Sequence, residues 1–291
     1  MGNQQNRIYS PLRYPGGKAC IFPFMSNYFY ENNLIGVDYA EPFAGGCGLA
    51  LRLLLEEYVG KIHINDLDYS IYSFWRAVLQ KPDELCSWIS DVKVSVENWK
   101  YYRQIQSHLF DVEYLDVAKS TFFLNRTNVS GIVKGGVIGG MAQQGKYKID
   151  VRFNKRDLIS RIERIAGFSS RINLTCLNGE EFITKIDKKK GRIFIYLDPP
   201  YYQKGANLYM NFFKYADHIS LAKKILRLKS PWLVSYDNED YVKSLYPGAP
   251  KVVYHLSQCA SNRVGKEVLI FDDRLCYESS VNFLNNPELE Y

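Results

Sequence analysis

The chain has no Cys-x-x-Cys pair. Its six cysteines, Cys20, Cys47, Cys86, Cys176, Cys259 and Cys276, stand apart from one another. That spacing excludes a zinc ribbon and a disulfide framework, and fits reduced thiols used as small apolar residues. No apolar run reaches the roughly 18 residues that a membrane-spanning helix requires. The opening Met1-Gly2-Asn3-Gln4-Gln5-Asn6-Arg7 has no signal-peptide core, so a soluble cytoplasmic protein with no membrane partner is expected. His63, His108, His218 and His255 show no ligand spacing, and no metal site is expected. Neither a Walker phosphate loop nor a Gly-x-Gly-x-x-Gly dinucleotide fingerprint is present. Internal repeats and low-complexity tails are missing as well. What remains is a 291-residue chain, enough for one large domain or two modest ones. Its net charge of +6 and pI near 8.8 give a mild bias towards polyanions.

The most informative stretch is Asp198-Pro199-Pro200-Tyr201. It follows Arg192 to Leu197, a β-branched and aromatic run that reads as a buried strand. The prolines cannot continue a ladder, so the chain turns there. A carboxylate and an aromatic ring are thereby set at the carboxyl end of a strand, where open α/β sheets hold ligands. Such a corner suits a planar amine, whose lone pair is delocalised into its ring. Asp198 and the Pro199 carbonyl can accept its two N–H groups and turn the lone pair outward, while Tyr201 offers a stacking face and Pro200 holds the acceptors rigid. A plain strand-ending turn is the competing reading of these four residues alone.

Two further motifs precede it. Pro11 to Lys18 contains Gly16 and Gly17, which let backbone approach a ligand, and Lys18 begins a helix carrying Ile21, Phe22, Met25 and Phe29. A tight turn would account for the glycines equally well. Next, a short strand from Val37 runs into Glu41-Pro42-Phe43-Ala44-Gly45-Gly46-Cys47-Gly48 and then a helix with Leu51, Leu54 and Leu55 on one side. Bare backbone at a helix start accommodates a nucleoside. Lys61 to Asp66 reads as the next strand, ending in an acid placed to grip ribose hydroxyls or to cap the following helix.

Residues 126–171 carry ten basic side chains against three acidic ones, a surplus of seven, and six glycines crowd the stretch 131–145. A basic, glycine-rich loop bearing amides suits a DNA groove: phosphates give affinity and amides read base edges. Arg126, Asn128, Lys134, Gln143, Lys146 and Lys148 are the candidate contacts. From Lys155 to Arg171 a solvated helix face explains the charge better, with Asn154 as N-cap and Leu158, Ile159, Ile162 and Ile165 buried. Strands are expected at 172–177, 232–236, 251–256 and 265–271, the last forming a sheet edge. Asn178, at a strand end, is placed to hydrogen-bond an adenine.

Together the motifs resemble the alpha-group, GATC-type DNA adenine methyltransferases. Tyr14-Pro15-Gly16-Gly17-Lys18 is similar to that family's Trp-x-Gly-Gly-Lys, with tyrosine for tryptophan. Glu41 to Gly45 matches its Glu-Pro-Phe-x-Gly, Asp66 its ribose acid, and Asp198 to Tyr201 its catalytic motif. Asn125-Arg126 and Gly145-Lys146-Tyr147 resemble the borders of its recognition hairpin, and Lys266 to Leu269 fits its closing strand. The segment 127–144 departs from the GATC pattern, and Asn178 stands where many relatives carry an acid. The resemblance implies a Rossmann-like α/β sheet of the S-adenosylmethionine-dependent methyltransferase type. It implies a catalytic domain over 1–66 and 151–291, and an inserted, mainly helical target-recognition domain over 67–150. It implies methyl transfer from S-adenosylmethionine to adenine N6 in double-stranded DNA by base flipping, with a separately acting restriction endonuclease as a candidate companion. The cofactor would lie over Glu41, Pro42, Phe43, Gly45 and Gly46, with Asp66 on its ribose, Tyr14, Gly17 and Lys18 on its methionine side, and Asn178 and Asp198 nearby. A silent DNA-binding module and a methyltransferase for RNA or protein amides are the alternatives.

Overall fold

The computed structural model describes residues 8–14, 16–202, 213–258 and 263–290; Pro15 and Cys259 lie outside them. The chain divides into a sheet unit, residues 16–67 and 171–291, and a helical unit, residues 1–15 and 68–170.

The sheet unit is built on eight strands: β1 (Asp38–Glu41), β2 (Ile62–Asn65), β3 (Ile172–Thr175), β4 (Ile193–Leu197), β5 (Trp232–Asp237), β6 (Lys251–Gln258), β7 (Arg263–Phe271) and β8 (Glu288–Glu290). Their order is β3-β2-β1-β4-β5-β7-β6-β8. The first five are parallel, while β7 runs antiparallel between β5 and β6. The strand expected at the edge, 265–271, is therefore interior. The outer place belongs to β8, paired with Lys251–Val253 of β6, because a short charged Glu-Leu-Glu segment tolerates an edge that an apolar strand does not.

Helices cover both faces, which is why β4 is apolar on both sides. Ile193, Ile195 and Leu197 pack into one core with Phe182, Ile183 and Ile186 of α8 (Gly179–Asp187) and with Leu221, Ala222 and Ile225 of α9 (Tyr215–Ile225). The alternate residues face α1 (Phe22–Glu31): Phe194 meets Tyr28 and Phe29 edge-on and stacks with Tyr39, which also stacks with Tyr196. Period-two alternation along one strand thus feeds two different cores. Helix α2 (Gly48–Leu55) starts after Cys47, whose φ of 53° lies in the left-handed region.

In the helical unit, α3 (Tyr69–Gln80), α4 (Pro82–Asp91), α5 (Val96–Ile105) and α6 (Tyr114–Thr127) share an aromatic core. Phe74 stacks on Phe122, and Tyr102 meets both Trp88 and Phe123. Helix α7 (Lys155–Ala166) buries Leu158, Ile162 and Ile165 and packs against α3 and α4. Residues 151–170 consequently belong to the helical unit, not to the catalytic segment expected to begin at 151. An amphipathic stripe reveals that a helix is buried, but not what covers it. Asp68, not Asp66, caps α3, accepting a hydrogen bond from the Ser70 amide.

Candidate active site

Parallel pairing brings the ends of β1, β2, β3, β4 and β5 to one edge of the sheet, and the strand order reverses between β1 and β4. Ligands of open α/β sheets sit at that point. Glu41, Asn65-Asp66, Leu177-Asn178, Asp198 and Asp237 all follow from this edge. Asn65, fully buried, ties three strand ends together. Its amide donates to the Pro42 and Leu177 carbonyls (3.0 and 2.9 Å), and its oxygen accepts from Thr175 Oγ1 and the Leu177 amide (2.7 and 2.9 Å).

The glycine bend is held by the acid assigned to ribose: Asp66 Oδ2 accepts the Gly45 amide at 2.8 Å. A carboxylate is the group that accepts from the two hydroxyls of a diol. Gly45 adopts φ 46°, and Gly46 and Pro42 are buried beside it. Phe43 packs edge-on to Phe213 at 5.7 Å and lies against Gly179, where a Cβ would come within 2.7 Å of its ring. These residues fit an adenosyl group: an acid for the hydroxyls, bare backbone, and an aromatic edge for the base. Asn178 is exposed and caps α8, its oxygen accepting the Glu180 amide at 2.9 Å. Gly17 and Lys18 belong to the sheet unit and Tyr14 to the helical unit.

Glu41 is buried, and Tyr39 Oη donates to its Oε1 at 2.7 Å. Burial, reinforced by the charge of Asp198, pushes its carboxyl from an ordinary 4.5 up to about 8, against the Tyr39 hydrogen bond and the pull of Lys18. Between those values the folded chain keeps a proton that the unfolded chain has lost. Glu41 therefore favours the folded state least at high pH: stability falls as pH rises from about 4.5 towards 8, at up to about 1.4 kcal/mol per pH unit. Glu41→Gln is expected to remove that slope. Denaturant unfolding of the two proteins at pH 5 and pH 8 checks it; an unchanged difference between them would contradict it.

The densest polar cluster lies under Asp198. Lys18, only 3% exposed, reaches both of its oxygens with Nζ, at 2.8 and 2.9 Å. Ser235 Oγ donates to Oδ1 at 2.9 Å and is itself 2.8 Å from Tyr196 Oη. The Asp198 side chain keeps 24% of its surface open to solvent. Burial and the charge of Glu267 raise its pKa above the usual carboxylate range, although Lys18 pulls the other way. Burial opposes the Lys18 charge, but Asp198 and Glu267 outweigh it and hold the ammonium well above its usual range. Pro199 is buried and Pro200 partly so.

Tyr201 is 6% exposed. Its hydroxyl donates to Glu267 Oε1 at 2.7 Å and accepts from Lys18 at 3.3 Å. Gly16, at φ 75°, lies so close that a Cβ there would sit 2.5 Å from that hydroxyl; only glycine meets both demands. The ring is thus fixed from its hydroxyl end. Sequence reasoning did not give Ser235, Tyr196, Tyr254 or Glu267 a place in this cluster. The available signal was a polar residue at an inward position of an apolar strand: Ser235 in Trp232–Tyr236 and Glu267 before Val268-Leu269-Ile270.

In the helical unit, Lys134, Lys146 and Lys148 are exposed, as is Tyr147 beneath the Lys146 ammonium. Arg126 donates to the Arg152 and Pro11 carbonyls; burial and then the charges of Arg13, Arg161 and Arg152 lower its pKa to about 10, so it stays a cation. Asn128 and Gln143 serve the loop itself. Asn128 is 0% exposed, donates to the Ile132 and Val133 carbonyls and accepts from Trp99 Nε1. Gln143 donates to the Ile138 and Gly140 carbonyls and accepts from the Ile149 amide. The segment between Thr127 and Gln144 holds one isolated bridge, Asn128 to Val137, in place of a regular hairpin.

Among the described residues, no group of three or more His, Cys, Asp or Glu side chains could hold a metal ion, and no helix is long and apolar enough to cross a membrane. No curated protein matches the chain. The family model described as D12 class N6 adenine-specific DNA methyltransferase matches residues 14–258. With that match over most of its length, the motif order and the Rossmann-like sheet, this chain belongs to the D12 class N6 adenine-specific DNA methyltransferase family, enzymes that methylate adenine in DNA.

Proposed function

We propose that this enzyme flips its target adenine out of double-stranded DNA and methylates N6 at the Asp198-Pro199-Pro200-Tyr201 corner, using S-adenosylmethionine. The observation that carries the reading is Asp198 itself, a carboxylate of raised pKa at the switch point, ordered by Lys18 and Ser235 yet still open to solvent. Bound S-adenosylmethionine supplies a methyl group already activated on a sulfonium sulfur.

The chain's own residues do the positioning. Asp66 would take the ribose hydroxyls, and the bend from Glu41 to Gly46, with Phe43, would hold the adenosyl group. Asp198 and the Pro199 carbonyl accept the two N–H groups of the target amine and hold its lone pair outward. That lone pair would take the methyl group of the donor held by these residues, and the bonding pair would stay behind on a neutral thioether. The nitrogen then releases a proton, for which Asp198, with its raised pKa, is the nearest acceptor. Tyr201 and Pro200 keep this geometry rigid, so most of the acceleration comes from orientation. Flipping is required because N6 is out of reach inside a stacked duplex. Lys134, Lys146 and Lys148, with Arg126, are suited to phosphates, a contact that weakens steeply with salt. A companion restriction endonuclease, acting separately, would be consistent with such a modifying enzyme.

The test is a transfer assay with a methyl-labelled donor, offered duplex DNA, RNA and protein in parallel. Label in DNA, recovered as N6-methyladenine, is expected. Label confined to RNA or protein would overturn the reading, as would a protein that binds DNA but consumes no donor.

A further inference from the structure

Asp198 is open to solvent on one side, but both of its oxygens are already engaged from within. The Lys18 ammonium reaches the two oxygens at 2.8 and 2.9 Å, taking lone pairs that the reading above gives to an adenine amine. Lys18 has three N–H groups but five acceptors within reach: the two Asp198 oxygens, the Gly16 carbonyl at 3.0 Å, Tyr201 Oη at 3.3 Å and Glu267 Oε2 at 3.4 Å. The second carboxylate is deeper, 2% exposed, and fixed from two sides. Tyr201 Oη donates to one oxygen at 2.7 Å and Tyr254 Oη to the other at 2.8 Å. One buried cation therefore stands between two acids, paired with the outer one and within reach of the inner one.

We infer that Glu267 is a positioning residue: it is the second seat of the Lys18 ammonium, taking it off Asp198 when the substrate amine arrives. The inference rests on the functional reading above. A buried ammonium cannot simply be released, because an unpaired charge in that setting is costly. The move from Asp198 to Glu267 keeps it paired throughout, and the Gly16 carbonyl, 3.0 Å from Nζ, is a neutral acceptor beside it. Glu267 also anchors Tyr201, so the shift is transmitted to the ring next to Asp198.

Steady-state methyl transfer at saturating donor, measured over a range of DNA concentrations, separates this role from simple packing. Glutamine keeps the length and acceptor oxygen of Glu267 but loses its charge, whereas aspartate keeps the charge. A charge seat predicts that Glu267→Gln lowers kcat about 30-fold with KM for DNA changed less than about threefold, and that Glu267→Asp recovers a good part of the loss. A packing role predicts the reverse order, with the glutamine variant closer to wild type; that order, or a Glu267→Gln enzyme with normal kcat, would overturn the inference. Tyr254→Phe covers the case in which neither variant folds. It strips a competing donor from the oxygen nearest Lys18, so kcat should rise about two- to threefold, and a fall would count against the seat. A wild-type protein that methylates no adenine-containing duplex would instead overturn the functional reading on which this one stands.

Discussion

Replacing Asp198 with alanine is expected to lower methyl transfer by about 10³-fold or more, while the protein stays folded and still binds its donor. The size follows from the work assigned to the carboxylate. It orients a delocalised amine and stands next to the charge that develops on nitrogen, and removing one preorganised group of this kind costs about 10²–10³ in rate. Loss of the proton's nearest acceptor adds to that. The fold should survive because Lys18 is not orphaned: Glu267 Oε2 lies 3.4 Å from its ammonium. Breaking a buried pair costs about 3–5 kcal/mol when no second partner exists, and here one does. Single-turnover rates, unfolding curves and donor titration on the same preparation check all three points. A variant retaining a tenth of the wild-type rate would remove Asp198 from the chemistry.

The second large effect concerns stability. Asn128→Ala should destabilise the helical unit by about 1–3 kcal/mol, because it leaves the Trp99 indole N–H without its acceptor and takes one of two donors from each of the Ile132 and Val133 carbonyls, which keep the Gly135 amide and Arg103. If the amide instead read DNA bases, the substitution would weaken DNA binding and leave unfolding unchanged. Denaturant unfolding beside a DNA titration decides between the two. Lys146→Ala, at an exposed side chain of the same segment, serves as the contrasting control, with unfolding unaltered.

What could be read in the sequence was what short-range chemistry specifies. Asp198 was visible because a β-branched run followed by two prolines must end a buried strand. Asp66 was visible because it follows another such run about 20 residues beyond a glycine bend. The helix cap at Asn154 was equally local, its oxygen accepting the Asp157 amide. Pairings between distant residues left no such trace. Lys18 and Asp198 lie 180 positions apart, and nothing around Lys18 indicates that its ammonium would meet a carboxylate rather than a cofactor.

Residue type alone does not choose between two roles that one side chain suits. Asn128 and Gln143 have the amides that read base edges, and the same amides staple a glycine-rich loop that lacks regular strands of its own. Burial, which no window of sequence displays, distinguishes Asn128, 0% exposed, from the half-buried Gln143. Strand order was hidden for a related reason. Residues 265–271 look like a final strand because they come late, yet β7 passes back between β5 and β6 and leaves the edge to Glu288–Glu290.

The central claim is that the Asp198 corner delivers a methyl group to adenine N6 in DNA. Its most direct test is to map methylated adenines in DNA from cells expressing either the wild-type chain or Asp198→Ala. The account predicts N6-methyladenine at one short recurring sequence with the wild type and none above background with the variant. Equal methylation from both, or modified cytosine in place of adenine, would contradict it.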